Sequence, residues 1–220
     1  MYKLLFIITV VLFSNTLVSC NSPVKKEKEA RVLPFYTTAD FTPQWIVPNS
    51  AVMKSLHSIP PFNFTNQDGE SVSEKTVAGK IYVADFFFTA CPGICKKLTT
   101  HLSLVQNAFL RDTMVLLLSH SVTPESDSVP RLKKYAQSFG VISNKWHLVT
   151  GNREEIYNIA RNAYFADEDM GEKKNSSDFL HTENLLLIDK HRRIRGVYKG
   201  TSLKDVNDLI SDITILKAEE

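Results

Sequence analysis

Cys91 and Cys95 stand in the run Cys91-Pro92-Gly93-Ile94-Cys95. Thiols so close together do one of two things: they cycle between dithiol and disulfide, or they bind a soft metal ion. Thiolates select Cu(I) or zinc over hard cations. A closed structural zinc site usually takes four ligands. The chain has three cysteines, and the third, Cys20, ends an N-terminal apolar run. Two remaining thiols exclude a zinc site built from three or four thiolates. Cu(I) accepts two or three soft ligands, so one imidazole would complete a copper site.

Six histidines are available. His181 is preferred because Asp178-Phe179-Leu180-His181-Thr182 falls between a polar loop and a strand starting near Glu183, and loops at strand ends carry function. His120, at the end of a strand, is the second choice. His101 lies nearly two helical turns beyond Cys95, too far along to share a ligand. His57, His147 and His191 read as surface or packing residues.

Asp85 precedes Cys91 by six residues. A desolvated carboxyl has a raised pKa and acts as a base near neutral pH. The spacing resembles that of the buried acid that serves the cysteine pair in thioredoxins, so Cys91, Cys95 and Asp85 form the catalytic set of an alternative, a thiol–disulfide oxidoreductase. The plain reading of Asp85 is an acid hydrogen-bonded inside its strand. Two features oppose general disulfide exchange. Three residues separate the cysteines, where thioredoxins have two, and no proline follows Pro130 to serve as the cis-proline opposite the motif.

The elements that must position these groups follow from the apolar pattern. Residues 80–89 hold Ile81, Tyr82, Val83 and Phe86 to Phe88, a β-rich run that reads as a buried central strand ending at the cysteines. Leu98, Leu102, Val105 and Phe109 recur at three and four, an amphipathic helix over 96–110. Pro92 suits a first helical turn, which puts Cys91 at a helix N-terminus, where the dipole and unpaired amides favour a thiolate. Cys95 then lies one turn on, on the same face. Strands are expected at 114–118 and 146–149, helices at 130–139 and 154–164, a loop at 167–178, a hairpin from 183–189 and 194–198, and a closing helix at 205–216. An earlier hairpin turns at Asp68-Gly69. Strands alternating with helices imply a parallel core, and the hairpins add antiparallel strands. The expected fold is α/β and thioredoxin-like: a mixed central sheet flanked by helices, with an N-terminal hairpin.

The 220 residues are 43% hydrophobic and 23% charged with a formal charge of +2, a globular composition without the basic stripe of a nucleic-acid binder. Lys3 and the largely apolar residues 4–17 read as an export signal, because a membrane span needs roughly 20 apolar residues and this run is shorter and broken by Ser14-Asn15-Thr16. Leu17-Val18-Ser19-Cys20 resembles a bacterial lipobox, which implies lipidation at Cys20 and a stable membrane anchor. The expected organisation is a lipoprotein signal peptide at 1–19, a tether at 20–34, an extended lead-in at 35–59 and one domain at 60–220. It places the protein in the bacterial cell envelope, lipid-anchored and facing the periplasm.

The stretch Phe86-Phe87-Phe88-Thr89-Ala90-Cys91-Pro92-Gly93-Ile94-Cys95 resembles the Sco/SenC family, as do Thr123-Pro124-Glu125-Ser126-Asp127, Tyr135, Trp146, and His181 ahead of Leu185 to Asp189. The likeness covers about residues 60–215. It implies a copper metallochaperone in which Cys91, Cys95 and His181 bind one copper ion, Cu(I) or Cu(II). Its partner would be the copper subunit of cytochrome c oxidase, whose copper centre the family helps assemble, or another copper protein. Two positions depart from the family pattern. Lys96 stands where a proline usually follows the second cysteine, and Thr123-Pro124 stands where many members have Asp-Pro.

Overall fold

The computed structural model describes residues 32–47, 50–166 and 182–219. The signal, Cys20, most of the tether, the 167–178 loop and His181 lie outside the described residues. The compact unit runs from Arg31 to Glu220.

Among the described residues, nine strands form one mixed sheet in the order β2-β1-β9-β8-β5-β6-β7-β3-β4. At its centre lies β5 (Ile81–Phe87), with all seven residues buried. β6 (Val115–Ser121) and β7 (Trp146–Thr150) follow in parallel on one side. β8 (Asn184–Ile188) and β9 (Ile194–Lys199) form the antiparallel hairpin on the other. The first hairpin pairs β3 (Asn63–Asn66) with β4 (Ser71–Ser73) and docks on β7. Its turn is set by Gly69 at φ 81° and by the Asn66 side chain, whose Oδ1 accepts from the Asp68 and Glu70 amides at 2.9 Å. The lead-in contributes β1 (Phe35–Tyr36) and β2 (Pro43–Gln44), which pair with each other and extend the sheet from β9.

Alternation along the strands feeds two cores. On one face Val83, Phe87, Leu117 and Leu187 meet α1 (Ile94–Ala108), α2 (Val129–Phe139) and α4 (Leu203–Glu219). On the other, Tyr82, Phe86, Leu118 and Leu186 meet α3 (Arg153–Asn162) and the first hairpin. Helix limits have local causes. Gly140 takes a left-handed conformation at the end of α2, where its amide reaches the Ala136 and Gln137 carbonyls. Asn152 caps α3 by accepting from the Glu155 amide at 3.1 Å, and Glu154 and Glu155 complement the dipole there. No helix among the described residues is long and apolar enough to cross a membrane.

Candidate metal centre

β5 delivers the chain to the cysteines. Its last residue is Phe87, and the Cys91 amide then turns back to the Phe88 carbonyl at 3.3 Å. The helix does not begin at Pro92 as its chemistry predicts. Gly93 is the N-cap and Ile94 the first helical residue. Cys91 therefore precedes the helix, while Cys95 sits in its first turn. The thiolate-favouring amides are still supplied, since the Gly93 and Cys95 backbone N–H groups both reach the Cys91 sulfur.

The two thiols lie near enough to shift each other's ionisation, and both are free. Cys91 is 7% exposed and Cys95 4%. Burial works against the Cys91 thiolate, but the hydrogen bonds from Cys95 and Gly93, with Lys96 nearby, outweigh it and hold the pKa below its usual value. For Cys95 the balance is reversed. Burial, the bond to Cys91 and the charges of Cys91 and Asp85 push it up to about 12, against help from the Phe88 amide. Deeper in, Thr99 Oγ1 donates to the Cys95 carbonyl at 2.8 Å and meets the Tyr135 hydroxyl at 2.7 Å, which ties the first turns of α1 to α2.

Asp85 faces the same side of the sheet as the cysteines. Its Oδ1 accepts a short hydrogen bond from Ser119, whose oxygen in turn accepts from Trp146 Nε1 at 2.8 Å. Burial raises the Asp85 pKa to about 7, with the Ser119 bond opposing. The six-residue spacing to Cys91 singles out Asp85, but not the Ser119–Trp146 pair from two other strands that holds it.

His120 is corrected as a candidate ligand. One residue beyond Ser119 on β6, it faces the opposite side of the sheet, boxed by Phe62, Phe64, Phe86 and Tyr164. Its Nε2 is buried without a hydrogen-bond partner. Burial drops its pKa to about 4, against the bond to the Asp85 carbonyl. His57, His101 and His147 are engaged elsewhere, by the Ala163 carbonyl, the Gly200 carbonyl and Asn66. The described residues contain no cluster of three His, Cys, Asp or Glu side chains that would hold a metal. Position 181 is one residue before Thr182, where the described chain resumes. From there it enters β8, which runs antiparallel to β5 with Leu186 opposite Ala84.

A pair of buried free thiols just beyond the end of the central strand of a helix-covered mixed sheet defines a thioredoxin-like dithiol domain. The SCO1/SenC family model matches residues 52–217, and the chain belongs to that family. A SCO1/SenC family lipoprotein from Bacillus anthracis str. Ames is 29% identical with a TM-score of 0.64, over 73% of this chain and 95% of its own. BsSco, described by a disulfide switch and as a member of the Sco family of cytochrome c oxidase assembly proteins, is 29% identical with a TM-score of 0.63, over 74% and 95%. Bradyrhizobium japonicum ScoI with copper bound is 25% identical with a TM-score of 0.58, over 73% and 99%.

Proposed function

We propose that this protein is a membrane-tethered copper carrier that holds one copper ion between Cys91, Cys95 and His181 and delivers it to a copper protein, the copper subunit of cytochrome c oxidase being the foremost recipient. The observation that carries the reading is the pair of buried neighbouring thiols at the end of β5, one of them already favoured as thiolate. Two soft donors at one point suit copper, and an imidazole adds a third. Copper binding displaces the proton that Cys95 holds, because only deprotonated thiols are ligands. The solved relative with copper bound and the relative from a family of oxidase assembly proteins support the cargo and the recipient. The relative described as a lipoprotein supports lipidation at Cys20, with residues 1–19 as the signal and 20–34 as the tether.

Metal analysis of the reduced protein, with absorption spectra after adding Cu(II), tests this reading. Stoichiometric copper with sulfur-to-copper charge-transfer bands is expected. Cys91→Ser and Cys95→Ser should each abolish stoichiometric binding, and His181→Ala should weaken it by orders of magnitude. Undiminished affinity in the His181 variant would remove it from the ligand set.

The structure also favours a second reading. Asp85, buried with a pKa near 7, lies close enough to raise the Cys95 pKa, which suits a base for the dithiol pair in reducing the disulfide of another protein's copper site. The disulfide switch of BsSco is in keeping with this. Vigorous, copper-independent turnover in an insulin reduction assay would promote it above the carrier reading, and loss of that turnover in Asp85→Asn would assign the base.

A further inference from the structure

The loop that presents Cys91 is fastened at Thr89, and the fastening converges on one buried carboxylate. Asp127, 0% exposed, precedes α2. Its Oδ1 accepts from Thr89 Oγ1 at 2.5 Å and its Oδ2 from the Thr89 amide at 3.2 Å. Oδ2 also accepts from Ser121 Oγ at the end of β6 at 2.7 Å and from Thr123 Oγ1 at 3.1 Å. Arg131, in the first turn of α2, donates from Nε to Thr89 Oγ1 at 2.7 Å and lies 3.7 Å from Asp127 Oδ1. A carboxylate taken from water is tolerated only when its lone pairs are filled, and here hydroxyls and an amide fill them. Three separate segments are thereby pinned at one point: the end of β6, the start of α2, and the turn two residues before Cys91.

We propose that Asp127 is the positioning residue of the dithiol site, holding Thr89 so that Cys91 stays within reach of Cys95. The proposal rests on the reading of Cys91 and Cys95 as the working pair. Asp127 acts through Thr89 on where Cys91 sits, and a held thiol meets its partner at a higher effective concentration than one on a loose turn. The network also gives position 123 a physical meaning. Thr123 donates to Asp127, whereas an aspartate there would set a second carboxylate against the first. In this chain the threonine adds a further donor to the buried carboxylate, while the hold on Thr89 is made by Asp127 itself.

The full-length protein in detergent is equilibrated with glutathione and glutathione disulfide. The reaction is Cys91–SH plus Cys95–SH plus glutathione disulfide giving the Cys91–Cys95 disulfide and two glutathione thiols. Asp127→Asn is expected to lower its equilibrium constant about tenfold, and Thr89→Val to do the same, while Thr89→Ser, which keeps the hydroxyl, stays within about twofold of the parent. Thr123→Val removes one donor from Asp127 but leaves Thr89 bound. It should lower the thermal midpoint and leave the equilibrium constant unchanged. If Asp127→Asn fails to fold, the Thr89 pair decides. The rate at which dibromobimane bridges the two reduced thiols reads the same proximity without redox chemistry, and Thr89→Val should slow it about tenfold. An unchanged constant and bridging rate in Thr89→Val overturns the proposal, as does an equal loss in Thr123→Val. No step of this test uses copper. Copper stoichiometry on the same samples reports on the carrier reading separately.

Discussion

Cys91 and Cys95 are chemically unequal although they are neighbours. Hydrogen bonds from Gly93 and Cys95 favour charge on Cys91, while burial and that same neighbour keep the proton on Cys95. Thiol alkylation proceeds through the thiolate. Iodoacetamide at pH 8 should therefore label Cys91 first, with Cys95 following at least about tenfold more slowly, as read by peptide mass analysis. Equal labelling from the earliest time point would contradict the assigned asymmetry. The cysteine spacing made this pair legible in the sequence, because few other arrangements place two thiols one turn apart. The position of the helix start was less legible. Pro92 fits a first turn, but Gly93 takes the cap and leaves Cys91 outside the helix. His120 shows what parity adds. Side chains of a strand alternate between faces. Ser119 bonds Asp85 on the cysteine face, so its neighbour His120 must point away. A histidine at a strand end carries no such information until the register of β5 on β6 is known.

The central strands carry two buried titratable groups whose linkages oppose each other. Asp85 on β5 has its pKa raised from 3.8 to about 7. The stability it contributes is full below pH 3.8 and is lost as pH rises through 7. His120 on β6 has its pKa lowered from 6.5 to about 4. Its contribution is full above pH 6.5 and is lost as pH falls through 4, and burial of His147 on β7 acts in the same sense. The windows overlap, so Asp85 offsets part of what the two histidines contribute, and the parent protein should show a shallow rise in stability with pH between 4 and 6.5. Asp85→Asn should steepen that rise, and His120→Phe should flatten it, because His147 then opposes Asp85 alone. Urea unfolding of the reduced proteins at pH 4, 5.5 and 7 measures both. Parallel profiles for the parent and both variants would contradict the linkage. At this scale the sequence was most informative for the strongly periodic segments. α1, α2, β5 and β7 lie within about two residues of where the apolar pattern put them, as expected when one face is buried. β1 and β2 have two residues each, too few for any period. Their place in the sheet comes from pairing with β9, far along the chain.

The molecule as a whole is a domain proposed to hang from a lipid, and that gives its first described residues a mechanical role. Cys20→Ala should move the protein from the membrane to the soluble fraction on fractionation, and continued retention would require a different anchor. Within the domain, the lead-in is fastened to the far end of the chain. The Leu33 amide donates to Glu219 Oε1 at 2.6 Å, and Arg195 Nη2 on β9 reaches both the Leu33 carbonyl at 2.7 Å and Glu219 Oε2 at 2.5 Å. The Arg195 side chain is only 3% exposed, with Asp189 a further 3.7 Å away and the Phe35 ring 4.1 Å from the guanidinium carbon. A cation so enclosed depends on its partners, and losing one charged acceptor typically costs about 2 kcal/mol. Asp189 remains after Glu219→Ala, so the loss should stay near that figure instead of reaching the roughly 3–5 kcal/mol of a fully orphaned buried charge. The expected result is a lower urea midpoint with an unchanged slope, because the same surface is exposed on unfolding. Faster hydrogen exchange at the Leu33 amide should accompany it, since that amide loses its acceptor. An unaltered midpoint and unaltered exchange at Leu33 would show the tie to be idle. The lead-in would then be held by β1 pairing and the burial of Leu33 and Phe35 alone.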